Sequence, residues 1–341
     1  MKKRLLGGFF SFRRDDAALS NPTALWRTIA DQIAKFDPMF KSIIIKTLKD
    51  NLVDPQRPNI HDHFDSLIVE SINAYFKEDQ QDQRYPVFVV DALDECGESS
   101  EEPQRKALLE TLTEWSSLSK MFKLIITSRD DRIPSKFREA CEDVVLPTGD
   151  HVTHTATDDI RAFFNNRFGE LKDKFRTLRT TDWPGTEVVE QLTDRAAGLF
   201  IWAETAMRFL EKGDPQTRLK IIRSGGPLDI QNSVNHLYQQ ITTNAWDSIG
   251  DIGNVVQPLL GAIVHAKVPL SLKFLEDFIA SCGTMDDSIA VAIDRVLAEL
   301  TSVISVGKDE VVRIEHLSFM EFLVESDLCP DAFRIRRARG I

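Results

Sequence analysis

The chain is poor in the features that mark several protein classes. Its 341 residues include four cysteines, Cys96, Cys141, Cys282 and Cys329. They form no CxxC and have no histidine nearby at ligand spacing. This excludes a disulfide framework and a zinc site, and it fits a reduced, cytoplasmic compartment. No apolar run approaches the ~20 residues that span a bilayer, so no membrane partner is expected. Net positive charge is absent: 53 Asp and Glu outnumber 42 Lys and Arg, for a formal net charge of −11. General nucleic-acid binding needs cationic patches, so nucleic acid is not expected as a partner. The basic cluster Arg334, Arg336, Arg337 and Arg339 reads as a solvated tail over 333–341. Internal repeats and low-complexity tracts are absent. So is a phosphate-cradling loop of the form GxxxxGKS or GxxxxGKT. Gly7-Gly8 lacks the following Lys and Ser or Thr, and Gly307-Lys308 runs into Asp309 in a hairpin turn.

What is present is a globular composition. An apolar content of 42% supplies real cores, and 28% charge is ordinary for a globular chain of two or three domains. Met1-Lys2-Lys3-Arg4 followed by Leu5–Phe12 has the outline of a short signal peptide. Two glycines interrupt it, however, and Arg13-Arg14-Asp15-Asp16 follows without a small-residue cleavage site. A strand over Phe9–Phe12 is the better expectation.

The stretch that organises the rest is Pro86-Val87-Phe88-Val89-Val90-Asp91-Ala92-Leu93-Asp94-Glu95-Cys96. Four apolar residues suit a strand buried on both faces of a parallel sheet. Three carboxylates then fall at its carboxyl end, where open α/β sheets place ligands. Two readings stand side by side. One is a Walker B element, in which Asp91 holds Mg²⁺ through water and Asp94 or Glu95 orients or deprotonates the attacking water. The other is a solvated acidic turn.

Helical spacing surrounds that strand. Asn21-Pro22 supplies an N-cap and a first-position proline for a helix running to about Phe36 with Leu25, Trp26, Ile29 and Ile33 on one face. Phe64, Leu67, Ile68, Ile72 and Tyr75 mark a second helix, preceded by His61-Asp62-His63 as a helix start. A polar run over Lys77–Arg84 and a polar loop over Gly97–Pro103 flank the acidic stretch. Leu108, Leu109, Leu112 and Trp115 mark a third helix. Lys123–Thr127 reads as another buried strand ending in Ser128-Arg129, and Val144-Val145-Leu146 as a further short one. Alternating strands and helices predict a parallel doubly wound sheet over 1–150.

Beyond Asp150 the periods are helical, which predicts a helical domain over 151–245, punctuated by Gly225-Gly226-Pro227. A third unit over 250–332 holds helices around Val255–Val264, Ser271–Ala280 and Ile289–Leu300. A hairpin of Val303–Val306 and Val311–Ile314 follows. Ser318 and Glu321 then form a capping box for a last helix. Helices followed by a hairpin make a winged-helix shape. Neither the acidic balance nor Ser271–Ala280, which is not basic, suits DNA recognition.

Arg129 ends the strand after Asp91, so it is expected beside the carboxylates, sensing a γ-phosphate or pairing with Asp130 or Asp131. His316 begins a run, His316–Leu323, whose Phe319, Phe322 and Leu323 are core.

These stretches, in order, resemble a NACHT-type ATPase of the STAND class, in the fungal version related to the nephrocystin-3-like N-terminal region. The resembling segments are Phe9–Asp15, Asn21-Pro22 with Leu25–Ala30, Val89–Cys96, Ile125–Arg129, Gly198-Leu199-Phe200-Ile201-Trp202-Ala203 and His316–Leu323. The resemblance implies a P-loop NTPase sheet, a helical domain and a winged helix, and a cytoplasmic switch of innate-immune type. In the complete family Mg²⁺ and ATP or ADP are bound. By resemblance Asp91 is the metal ligand, Asp94 and Glu95 are the catalytic acids, Arg129 is the γ-phosphate sensor, and His316 touches the β-phosphate. ATP exchange opens the closed ADP form for homo-oligomerisation and recruitment of signalling proteins.

The resemblance also implies that the family's first strand, phosphate loop and next helix would precede Met1. That missing strand is an inner one, lying between the strands that correspond to Lys123–Thr127 and Val144–Leu146. The expectation is an incomplete chain deficient in nucleotide binding. The alternative is a pseudo-ATPase, a nucleotide-independent interaction scaffold. A metal-only enzyme built on Asp91, Asp94 and Glu95 lacks any further catalytic group.

Overall fold

The computed structural model describes residues 6–14, 16–50, 52–54, 56–77, 86–97, 102–118, 122–129, 133–148, 151–178, 182–225, 232–266, 268–283 and 289–336. The expected features at Asp15, 78–84, 98–101, Gly226-Pro227, Asp130, Asp131, Arg337 and Arg339 lie outside these residues. The chain divides into two compact units, Met1–Val144 and Val145–Ile341.

The first unit holds a parallel sheet of β1 (Leu6–Ser11), β2 (Val87–Asp91) and β3 (Lys123–Ile126), in the order β1-β2-β3. Its helices are α1 (Ala17–Ser20), α2 (Ala24–Phe36), α3 (Pro38–Lys49), α4 (Ile60–His63), α5 (Glu70–Lys77), α6 (Glu102–Glu114) and α7 (Ser135–Glu139). A π-helical turn, Phe64–Val69, joins α4 to α5. Register places Phe10, Val90 and Ile126 in one row and Phe9, Val89 and Ile125 in the next. Because side chains alternate across a strand, these rows face opposite ways. Phe10, Phe88 and Val90 are buried under α2, α6 and the segments around Phe64 and Trp115. Trp26 Nε1 donates to Thr111 Oγ1 at 2.9 Å, tying α2 to α6.

Gly7 and Gly8 serve this packing. A Cβ at Gly8 would lie 2.9 Å from Ile29 Cδ1 and 3.1 Å from Phe88 Cδ1, so glycine lets α2 sit close on the sheet. At Gly7 it would lie 2.2 Å from Pro86 Cβ. The outer edge of β1 is closed by a side chain. Phe9 N donates to Gln32 Oε1 at 2.6 Å and Gln32 Nε2 donates to Phe9 O at 2.9 Å, reproducing the bonds of a neighbouring strand.

Several expectations need correction. The first strand starts at Leu6 and ends at Ser11. The following helix begins at Ala24, since Asn21 Oδ1 instead accepts from Thr23 N at 2.8 Å in a local turn. Helix α3 has no counterpart among the expected elements; Asp37 caps it by accepting from Met39 N at 2.9 Å. Val144, Val145 and Leu146 form no strand; they are 74%, 73% and 83% exposed. Apolar β-branched residues make a strand only beside a partner edge, and none is described there. The sheet is parallel, as expected, and the helices described in this unit pack on its Phe10–Val90 face.

The second unit comprises α8 (His154–Lys174), α9 (Thr186–Ala196), α10 (Phe200–Glu211), α11 (Pro215–Ser224), α12 (Ser233–Ile249), α13 (Val256–His265), α14 (Leu272–Ser281), α15 (Ile289–Glu299) and α16 (Leu317–Glu325). One core runs through it from Ile160 to Ile335. An antiparallel sheet of β4 (Leu270–Ser271), β5 (Ile304–Val306) and β6 (Val311–Ile314) has the order β4-β6-β5, so the expected hairpin gains a third, short strand. Among the described residues no helix is long and apolar enough to cross a membrane.

Candidate functional site

The carboxyl ends of the three parallel strands bring four of the expected site residues together. Asp91 ends β2, level with Ser11 at the end of β1. Ser11 Oγ donates to Asp91 Oδ2 at 2.9 Å, and Thr127 Oγ1, just past β3, donates to Asp91 Oδ1 at 2.6 Å. The Asp91 carboxylate thus joins all three strand ends. Main-chain bonds reinforce it: Phe12 N donates to Asp91 O, Thr127 N to Val90 O and Leu93 N to Thr127 O.

The chain then turns sharply. Ala92 adopts φ 54°, ψ 48°, a left-handed conformation that costs an L-residue about 1 kcal/mol. There Ala92 N donates to Thr127 Oγ1 at 3.0 Å. The single 3₁₀ turn Leu93–Glu95 follows and points Asp94 inward. Asp94 is 5% exposed, and Arg129 holds both of its oxygens: the backbone N donates to Oδ1 at 3.1 Å and Nε to Oδ2 at 2.9 Å. Burial by itself would raise the Asp94 carboxyl. The bonds and charge of Arg129 outweigh it and hold the group below the usual carboxylate range. Glu95 Oε2 accepts from Arg14 N at 3.1 Å, while Arg14 Nη2 donates to Asp94 O at 3.3 Å.

Sequence reasoning placed Asp91, Asp94, Glu95 and Arg129 here and missed the partners that define their state. Ser11, Thr127 and Arg14 sit inside stretches already singled out. The signal that could have found Ser11 and Thr127 was their position at the ends of the strands flanking Asp91.

His316 belongs to the second unit. It is the N-cap of α16, where Nδ1 accepts from Ser318 N at 3.1 Å and lies 2.7 Å from Ser318 Oγ. The expected Ser318–Glu321 capping box is therefore replaced by a histidine cap, because the Ser318 hydroxyl is taken by His316 and, at 2.8 Å, by Tyr238 Oη. Burial pushes the Tyr238 phenol up to about 12, against the lowering bonds of Ser318 and Thr205. His316 lines a small, half-open pocket with Glu204, Arg208, Tyr238, Ser302 and Glu315. Arg208 bridges Glu204 and Glu315 there. The Gly198–Ala203 stretch is the corner between α9 and α10. Gly198 has φ 82°, and a Cβ on it would meet Val152 Cγ2 at 2.7 Å. Trp202 is buried and donates to Ser233 O at 3.1 Å.

The strand-end carboxylates of Asp91 and Asp94 are satisfied within the protein. Among the described residues no three His, Cys, Asp or Glu side chains converge, although a magnesium nucleotide is held by one or two carboxylates together with its own phosphates. Both oxygens of Asp91 and both of Asp94 already accept hydrogen bonds. No loop of the glycine-rich form that cradles phosphates occurs in the sequence. What the arrangement does chemically is fasten three strand ends through the partly buried Asp91 carboxylate and pin the following turn through the buried Asp94 and its partner Arg129.

Residues 2–129 match the family described as Nephrocystin 3, N-terminal, a span that includes this entire cluster. No curated protein matches the chain.

Proposed function

We propose that this chain is a NACHT-type module of the STAND signalling class, acting as a protein-interaction scaffold that does not itself hold nucleotide. The observation that carries this reading is the closure of the acidic turn. Asp94 is locked to Arg129, and Asp91 is shared between the Ser11 and Thr127 hydroxyls. The match of residues 2–129 to the nephrocystin-3 N-terminal family supports the lineage. The order of a parallel sheet, a helical region and a small β4-β6-β5 sheet with α14 and α15 supports the assignment of a P-loop-like part and a winged-helix part. Isothermal titration of the chain with Mg-ATP is expected to show no tight binding. Micromolar affinity, about −8 kcal/mol, would overturn the reading.

A second reading is the family's ADP/ATP-controlled oligomerisation switch, with Asp91 on Mg²⁺, Asp94 and Glu95 as acids, and Arg129 and His316 on phosphates. It is favoured by the position of Asp91, Asp94 and Arg129 at the carboxyl ends of parallel strands, where α/β sheets bind ligands. Asp91→Ala separates the two. The scaffold reading expects partner binding and oligomeric state unchanged by ATP in both wild type and variant. The switch reading expects an ATP response that Asp91→Ala abolishes.

A further inference from the structure

The corner between β6 and α16 carries a hydrogen-bonded chain whose direction is set by one nitrogen. Ser318 N lies 3.1 Å from His316 Nδ1, and a backbone N–H can only donate, so Nδ1 is the bare, accepting nitrogen. The Ser318 hydroxyl, 2.7 Å from the same atom, must then point its hydrogen at Nδ1. Its oxygen is left to accept from Tyr238 Oη at 2.8 Å. The chain therefore runs from Tyr238 on α12 through Ser318 to His316, and it caps the first turn of α16. Burial, which pushes the Tyr238 phenol up to about 12, keeps its proton in place across the neutral range. The helix held in this way packs its buried Phe319 and Phe322 against the Tyr238 ring, with centroids 5.1 and 5.5 Å away.

We infer that this corner is a proton-operated latch, in which protonation of His316 reverses the chain and releases the first turn of α16. An imidazolium carries a hydrogen on both nitrogens. Nδ1 then donates to Ser318 Oγ, the Ser318 hydrogen turns to the Tyr238 oxygen, and the Tyr238 hydrogen turns to Thr205, its other partner. The side chains stay paired. The Ser318 N–H does not: it faces a hydrogen where it had an acceptor, at a helix end that also repels positive charge. Four charged groups bear on the corner. Glu204 and Arg208 of α10 and Glu315 line the same pocket as His316, and Glu321 of α16 acts on Tyr238. Arg313 of β6 is paired with Asp309. Arg208 bridges Glu204 and Glu315, so these three groups together carry one net negative charge beside the imidazole. An imidazolium is therefore accommodated there, and the effect is release of one turn while the core stays closed. Glu315 N, which donates to Val303 O at 3.0 Å, continues to anchor the corner. The inference is independent of nucleotide and does not rest on the proposed function.

The test is hydrogen exchange of the full chain at about pH 8 and about pH 5.5, on either side of the usual imidazole value of about 6.5. Mass spectrometry reads it as protection factors corrected for the intrinsic effect of pH. The peptide spanning Leu317–Glu325 is expected to lose about 5-fold in protection at the lower pH, the size of a lost N-cap. His316→Asn keeps a capping oxygen that does not titrate, so its protection should be the same at both pH values. Peptides of α8, in the same unit, should not change in either protein. Equal protection of α16 at both pH values in the wild type overturns the inference. So does an equal fall in His316→Asn, or a fall of the same size in α8, which would make the change global. Circular dichroism melts verify folding. His316→Asp, whose carboxylate also caps and titrates well below this window, replaces His316→Asn if that variant fails to fold.

Discussion

At the scale of single residues, the Asp94–Arg129 pair shows how the same atoms support two different functions depending on their partners. Asp94 is buried and ionised, which is costly unless the charge is hydrogen-bonded on both oxygens. Its folded pKa lies below its unfolded value. The contribution of the pair is therefore fully present above about pH 4 and is lost as pH falls through the folded pKa. Asp94→Ala should cost ~1–3 kcal/mol at neutral pH, because Arg129 N loses its acceptor while the half-exposed guanidinium is resolvated. Urea midpoints followed from pH 6 down to about pH 3 should fall less steeply in the variant than in the wild type. Parallel curves would remove Asp94 as a source of acid sensitivity.

At the scale of elements, the glycines of β1 matter for space, not for phosphate. Gly7→Ala places a methyl against backbone-anchored Pro86. It should destabilise by ~1–3 kcal/mol, measured as a lowered denaturant midpoint with unchanged slope. A neutral result would mean that the start of β1 shifts freely. The same strand shows what the sequence could and could not disclose. The strand Val87–Val90 was legible from its apolar, β-branched run, although only Phe88 and Val90 are buried, and the helical stripes of α2 and α6 were legible from their period. Helix α3 was not, since its capping Asp37 falls directly after α2 and merges the two signals. The strand expected at Val144–Leu146 failed because composition cannot report whether a partner edge exists. At the site, the carboxylates and Arg129 were legible as an acidic turn with a nearby cation. Their mutual closure was not, because it depends on register between strands distant in sequence.

At the scale of the whole molecule, two separate cores each enclose one thiol. Cys96 is buried in the core of the first unit and Cys329 in that of the second, whereas Cys141 and Cys282 are exposed. Burial also pushes the Cys329 thiol up to about 11. Alkylation of the native chain at neutral pH should therefore modify two cysteines promptly, and Cys96 and Cys329 only after unfolding. Peptide mass mapping reads this directly. Cys96 and Cys329 becoming reactive at different denaturant concentrations would show that the two cores melt separately, and prompt native labelling of either would show that its core is open.

The carboxamide of Gln32 has a further effect at this scale. By occupying the main-chain groups of Phe9 it blocks strand addition at the middle of β1, while among the described residues β3 has a strand on one side only. Edge-to-edge growth into a fibre needs two open rims per sheet, and the Gln32 carboxamide, standing in for a neighbouring strand at Phe9, obstructs one of them.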